Sequence, residues 1–151
     1  MKSQLIFSVL FFILTQNIHA QNLKFDNSCD AIKFFLFSKE VANNFKSENK
    51  NDSIIFIIDF THALDICAIS NWRGKPISIL REGPLVDSVK KNDFYRVTAG
   101  RSNIYLFYAS DLKSSSGNFM IQHGSNNILS SVEFIRKGKK YFLRRIMNGV
   151  R

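Results

Sequence analysis

Glycine and proline are scarce, seven and two in 151 residues, which excludes collagen-like and low-complexity chains. The glycines are scattered, so no glycine-rich phosphate loop exists. Two cysteines are too few for a disulfide-dense scaffold or a four-cysteine zinc site. Three histidines with no paired spacing give no metal-ligand pattern, and no metal or cofactor is expected. No serine sits in a glycine-flanked nucleophile turn. Beyond residue 20 the uncharged apolar runs are short, five residues from Ile54 to Ile58 and six from Ile104 to Ala109. A membrane-spanning helix needs roughly 20, so the chain is not expected to cross a bilayer. Acids are outnumbered, 12 against 21 lysines and arginines.

The first twenty residues have a distinct grammar. Met1-Lys2-Ser3-Gln4 carries one positive charge, Leu5 to Leu14 is apolar except for Ser8, and Thr15 to Ala20 is more polar and ends in a small residue. That three-part order is a cleavable secretory signal, and the expected cut follows Ala20. Residues 21–151 then form one domain, exported to a periplasm or the outside of the cell. In that compartment Cys29 and Cys67 are expected to pair. The bridge would close a loop of 37 intervening residues, worth ~4 kcal/mol in the chain-entropy view.

Asn27 or Ser28 can cap a helix over 28–46, with Ala31, Phe34, Phe35, Ser38, Val41, Ala42 and Phe45 on one stripe. Residues 21–27 read as a short leader and 47–53 as a polar loop. From Ser53 the pattern changes to strands. Ile54 to Phe60 is β-branched and aromatic on both faces, as in a central strand. Further strands are expected over 64–70, 76–80, 94–98, 103–109, 118–123, 128–136 and 140–147, with a short helix from Pro84 to Val89. These connections look too short for parallel crossovers. The predicted fold is α+β: one N-terminal amphipathic helix on a curved, mainly antiparallel sheet of about five to seven strands. In element order alone this resembles cystatin-like and nuclear-transport-factor-like half-barrels.

Candidate chemistry is sparse. Asp59, His62 and Asp65 form the one acid–histidine cluster, where a carboxylate could orient an imidazole for general-base work at the end of the central strand. The same polar residues also simply end a strand, and no catalytic activity is favoured. A small hydrolase centred on His62 is the alternative reading. The charge is uneven: of the net +9, Lys2 belongs to the leader, and residues 133–151 hold seven basic residues against one acid. Arg136, Lys137, Lys139, Lys140, Arg144 and Arg145 therefore make a basic C-terminal hairpin suited to an anionic surface or an acidic protein. Strict strand alternation puts Lys140 and Arg144 on one face and Arg145 on the other. Trp72, beside Arg73 and Lys75, reads either as an interface anchor or as a ring folded over the core edge. The many phenylalanines could line a cavity for a small apolar ligand. Export argues against nucleic acid. The leading expectation is a non-catalytic exported binding or accessory domain acting through the basic hairpin or the sheet concavity.

Overall fold

The computed structural model describes residues 18–46, 52–124 and 128–150. Most of the expected signal segment, much of the polar loop before Ile54, part of the Gly124–Asn127 turn and Arg151 lie outside the described residues. The elements in order are β1 (Ile18–Phe25), α1 (Ser28–Phe37), α2 (Lys39–Asn44), β2 (Ile55–Asp59), β3 (Asn71–Trp72), β4 (Lys75–Leu80), α3 (Pro84–Lys91), α4 (Phe94–Thr98), β5 (Ile104–Ala109), β6 (Ser116–His123), β7 (Ile128–Lys137) and β8 (Lys140–Val150). They form a mixed α+β fold around one open sheet of eight strands, ordered β1-β8-β7-β6-β5-β2-β4-β3.

The long helix expected over 28–46 is two helices. Asn27 caps the first, its side chain accepting from the Asp30 amide at 2.9 Å. Ser38 ends it: extended at ψ 148°, it donates its hydroxyl to the Phe35 carbonyl at 2.9 Å and accepts from the Val41 amide at 3.3 Å. A serine hydroxyl that competes for backbone partners stops one helix and caps the next. The buried stripe shifts with the break. Ile32, Phe35, Leu36, Val41 and Phe45 are fully buried, whereas Phe34 lies at the margin against Phe25, ring centroids 5.2 Å apart.

The sheet is antiparallel in five of its seven pairings, but β2 runs parallel to both β4 and β5. The expectation that no parallel crossover would fit is therefore corrected. Residues 94–98 were expected as a strand and are α4, because Asp93 accepts from the amides of Tyr95 and Arg96 at 3.0 and 3.3 Å. That cap overrides the β-branched and aromatic composition, and α3 and α4 together carry the chain from β4 across to β5. Residues 64–70 are turns rather than a strand. The amides of Asp65, Cys67 and Ile69 bond locally, to the carbonyls of His62, Leu64 and Cys67. The Cys29–Cys67 disulfide, with Cα atoms 5.3 Å apart, ties this loop to the first turn of α1.

Two cores follow from strand alternation. Ile55 and Ile57 of β2, with Tyr105 and Phe107 of β5, face α1 and α2. Phe56, Ile58, Ile104 and Leu106 face α3 and α4, meeting Val86, Val89 and Phe94. The sequence reading of β2 as a central strand, apolar on both sides, is what the structure shows. The first core continues through Phe119, Val132, Phe134, Tyr141 and Leu143. The second takes no residue from β1, β7 or β8. One half of the sheet is thus covered on both faces and the other half on one. The single-helix half-barrel gives way to four helices on two faces.

The segment read as a leader is an edge strand. Leu23, Lys24 and Phe25 of β1 pair opposite Leu143, Phe142 and Tyr141 of β8. This regular pairing lies after the expected cut at Ala20, and the register shifts between His19 and Leu23.

Candidate anion-binding face

The uncovered face of β6, β7, β8 and β1 collects the basic residues. On β8 alternation should place Arg144 and Arg145 on opposite sides. Instead Glu133 pairs with Arg145 and Phe134 with Leu143, so the strand bulges at Arg144. A bulge inserts an extra residue and re-aims the side chains beside it. Leu143 and Ile146 stay in the core, while both arginines turn to the open face. The expectation that the charge is split between two faces is corrected on this ground.

The two arginines have different roles. Arg145 forms a bidentate pair with Glu133, its Nε and Nη2 donating at 3.1 and 2.8 Å. The carboxylate raises the Arg145 guanidinium above its ordinary range. Arg144 is exposed and has no acid within ion-pair distance among the described residues. The same holds for Lys24, Lys137, Lys139 and Lys140. The β1–β8 pairing brings Lys24 against Lys140, and contact with that like charge holds the Lys24 ammonium below the usual lysine range, with Asp26 partly opposing. Lys137 lies over the Phe142 ring at 5.7 Å. Arg136 turns the other way, donating to the Lys113 carbonyl at 2.8 Å.

Beside Arg144 the face dips into an open recess of about 630 Å³, lined by Ser116, Gly117, Asn118, Glu133, Phe134 and Ile135. Asn118 lies directly opposite Glu133, and Ser116 opposite Ile135. Lys24, Ser116 and Asn118 escaped sequence reading. The alternation Leu23-Lys24-Phe25 was the signal available for Lys24, and nothing in the sequence marked the other two.

The acid–histidine cluster is only partly assembled. His62 Nδ1 lies 3.1 Å from Asp65 Oδ2, and the Arg81 guanidinium contacts the other Asp65 oxygen. The His62 side chain is 61% exposed and its backbone has φ 56°. Asp59 is not with them. It is fully buried and accepts from the Thr61 amide, the Thr61 hydroxyl and the Leu64 amide at 3.1, 2.7 and 2.8 Å. Those bonds close the turn that ends β2 and leave it a structural carboxylate.

Trp72 folds over the core. It is 1% exposed, its Nε1 donates to the Leu36 carbonyl at 2.7 Å, and its ring meets Tyr105 edge-on at 4.9 Å. Arg73 lies over that ring, donating to the Tyr105 hydroxyl at 2.9 Å and to the Phe45 carbonyl. Lys75 sits opposite Trp72 in the β3–β4 pair. Trp72 ties the hairpin to α1, and Arg73 ties it to the end of α2. The large phenylalanines pack on one another, Phe119 stacking on Phe134 at 4.9 Å. Among the described residues no cluster of three potential metal ligands occurs, and no helix is long and apolar enough to cross a membrane. Comparison with protein-family models, with curated proteins and with solved structures finds no match.

Proposed function

We propose that this is an exported, non-catalytic binding domain that holds an anionic partner on the open face of β8 and its neighbours. The observation that carries the reading is the row of unneutralised cations, Lys24, Lys137, Lys139, Lys140 and Arg144, on the face that the helices leave bare. Folding gains nothing from pressing Lys24 against Lys140, since like charges in contact repel. A bound anion relieves that repulsion. The bridge between Cys29 and Cys67 and the N-terminal signal pattern support export.

Reversing Lys139, Lys140 and Arg144 to glutamate tests the reading. Binding to polygalacturonate and to vesicles containing phosphatidylglycerol should be lost, with the thermal midpoint little changed, because exposed charges contribute little to stability. Wild-type binding should also fade with salt, as the Debye length falls from ~10 Å at 0.1 M to ~3 Å at 1 M. Undiminished binding by the triple variant contradicts the proposal, as does no binding by the wild type at low salt.

A second reading, a small hydrolase with His62 as base, draws on the 3.1 Å contact to Asp65. An oriented imidazole is what such chemistry needs. Against it stand the exposure of the ring and the competing Arg81 contact. Esterase activity abolished by His62→Ala and retained in the triple charge variant would favour the hydrolase.

A further inference from the structure

We infer that the anionic partner is an acidic polysaccharide, and that the recess beside Arg144 seats one of its charged sugar units. The inference rests on the binding reading above and adds the partner's chemistry.

A phosphate-rich bilayer or an acidic peptide asks only for cations. The recess offers more. Its rim carries a hydroxyl from Ser116, an amide from Asn118, a carboxylate from Glu133 and a guanidinium from Arg144, with Ile135 as an apolar wall. A sugar hydroxyl donates and accepts at once, so a sugar site needs both kinds of partner close together. Asn118 supplies both, and Glu133 keeps lone pairs beyond the two that Arg145 occupies. That carboxylate, already paired with Arg145, accepts readily from a hydroxyl, and the sugar's own anionic group lies away from it, at Arg144. Arg144 is the group for the sugar's own carboxylate or sulfate, which its planar fork matches in a bidentate pair. The volume of about 630 Å³ lies within the range of small-ligand pockets, about 300–1,000 Å³.

The remaining cations gather at the hairpin end of the same face. Arg144 and Lys140 are four residues apart on one strand, a rise of roughly 13 Å. Lys24 flanks Lys140 through the β1–β8 pairing, and Lys137 and Lys139 follow at the hairpin turn. A cationic cluster that far from Arg144 suits a linear polymer that carries charge at intervals. The bulge creates the arrangement: it sends Arg145 to Glu133 and leaves Arg144 free for the ligand.

The test is calorimetry on the mature, disulfide-intact protein with four probes: polygalacturonate, poly-glutamate and phosphatidylcholine/phosphatidylglycerol vesicles at equal charge concentration, and neutral dextran at the same sugar concentration as polygalacturonate. Polygalacturonate should bind at least about tenfold more tightly than poly-glutamate or the vesicles, and dextran should not bind. Asn118→Ala should cost up to about tenfold toward polygalacturonate, the upper end for one neutral hydrogen bond, and leave vesicle and poly-glutamate binding unchanged. Asn118→Asp, which keeps the shape and adds a negative charge, should cost more. Circular dichroism checks that each variant is folded. Equal or tighter binding of vesicles or poly-glutamate overturns the polysaccharide inference while leaving the anion-binding reading in place, and so does an Asn118→Ala effect of the same size on every probe. No binding of any anionic probe overturns both.

Discussion

The two halves of the sheet are built to different ends. In the parallel half, β5-β2-β4, the central strand β2 is covered on both faces and runs apolar from Ile55 to Ile58 without alternation. The antiparallel half, β1-β8-β7-β6, buries one face against α1 and α2 and presents the other to solvent. Its strands alternate, and the outward positions mix charged residues (Lys24, Glu133, Lys137, Lys140, Arg144) with Ser116, Asn118, Ile135 and Phe142. Side chains in the first half are chosen by packing, since a strand covered twice has no polar position left. In the second half the outward positions are released from packing, so their composition reports something else. Apart from Arg145, which Glu133 holds, the cations there have no acid within ion-pair distance among the described residues, although the chain has twelve acids to place.

The largest effect that would break this contrast is in the doubly covered region. Phe45 is fully buried and meets Trp72 and Tyr105 edge-on. Phe45→Ala should cost about 3–5 kcal/mol in urea unfolding. A loss below about 1 kcal/mol would mean that the shared core is not packed as described. Next is the disulfide. Replacing Cys29 and Cys67 together by serine should cost about 2–4 kcal/mol, and the oxidised wild type should yield no alkylatable thiol. Two free thiols in the native protein would remove the tether between α1 and the loop after β2.

A smaller effect sharpens the contrast by testing why the parallel half exists. Asp93→Ala should destabilise by about 1 kcal/mol through loss of the α4 cap. Were residues 94–98 a strand, the change would be near neutral. The smallest effect belongs to the open half. The Lys24 ammonium is held low by Lys140, so the repulsion is present at neutral pH and fades as pH rises through the lowered Lys24 range. An anion that binds there favours the charged form, so binding in that alkaline range should take up protons. Heats that do not change between buffers of different ionisation enthalpy would place the ligand elsewhere.

Much of this was legible in the residues, and what was not has physical causes. The apolar run Ile54 to Ile58 announces a strand covered twice, and Lys137-Gly138-Lys139 announces the last hairpin, where Gly138 adopts φ 62°. The crossover was hidden because Phe94, Tyr95, Val97 and Thr98 all favour strands, and one capping carboxylate decides otherwise. Ser38 divides a helix whose apolar spacing runs on through it. The basic hairpin could be read as a composition but not as a face. Period-two counting separates Arg144 from Arg145, and only the bulge, set by pairing with β7, reunites them. Lys24 went unmarked because the alternation Leu23-Lys24-Phe25 is too short to announce a strand.

The central claim is that the uncovered half of the sheet is the binding surface. Amide chemical-shift mapping during titration with polygalacturonate tests it most directly. Shifts should concentrate at Lys24, Ser116, Asn118, Glu133 and residues 137–145, leaving α1, α2 and the His62–Asp65 turn unmoved. Shifts centred on His62, Asp65 and Arg81, with the β8 face silent, would contradict the account.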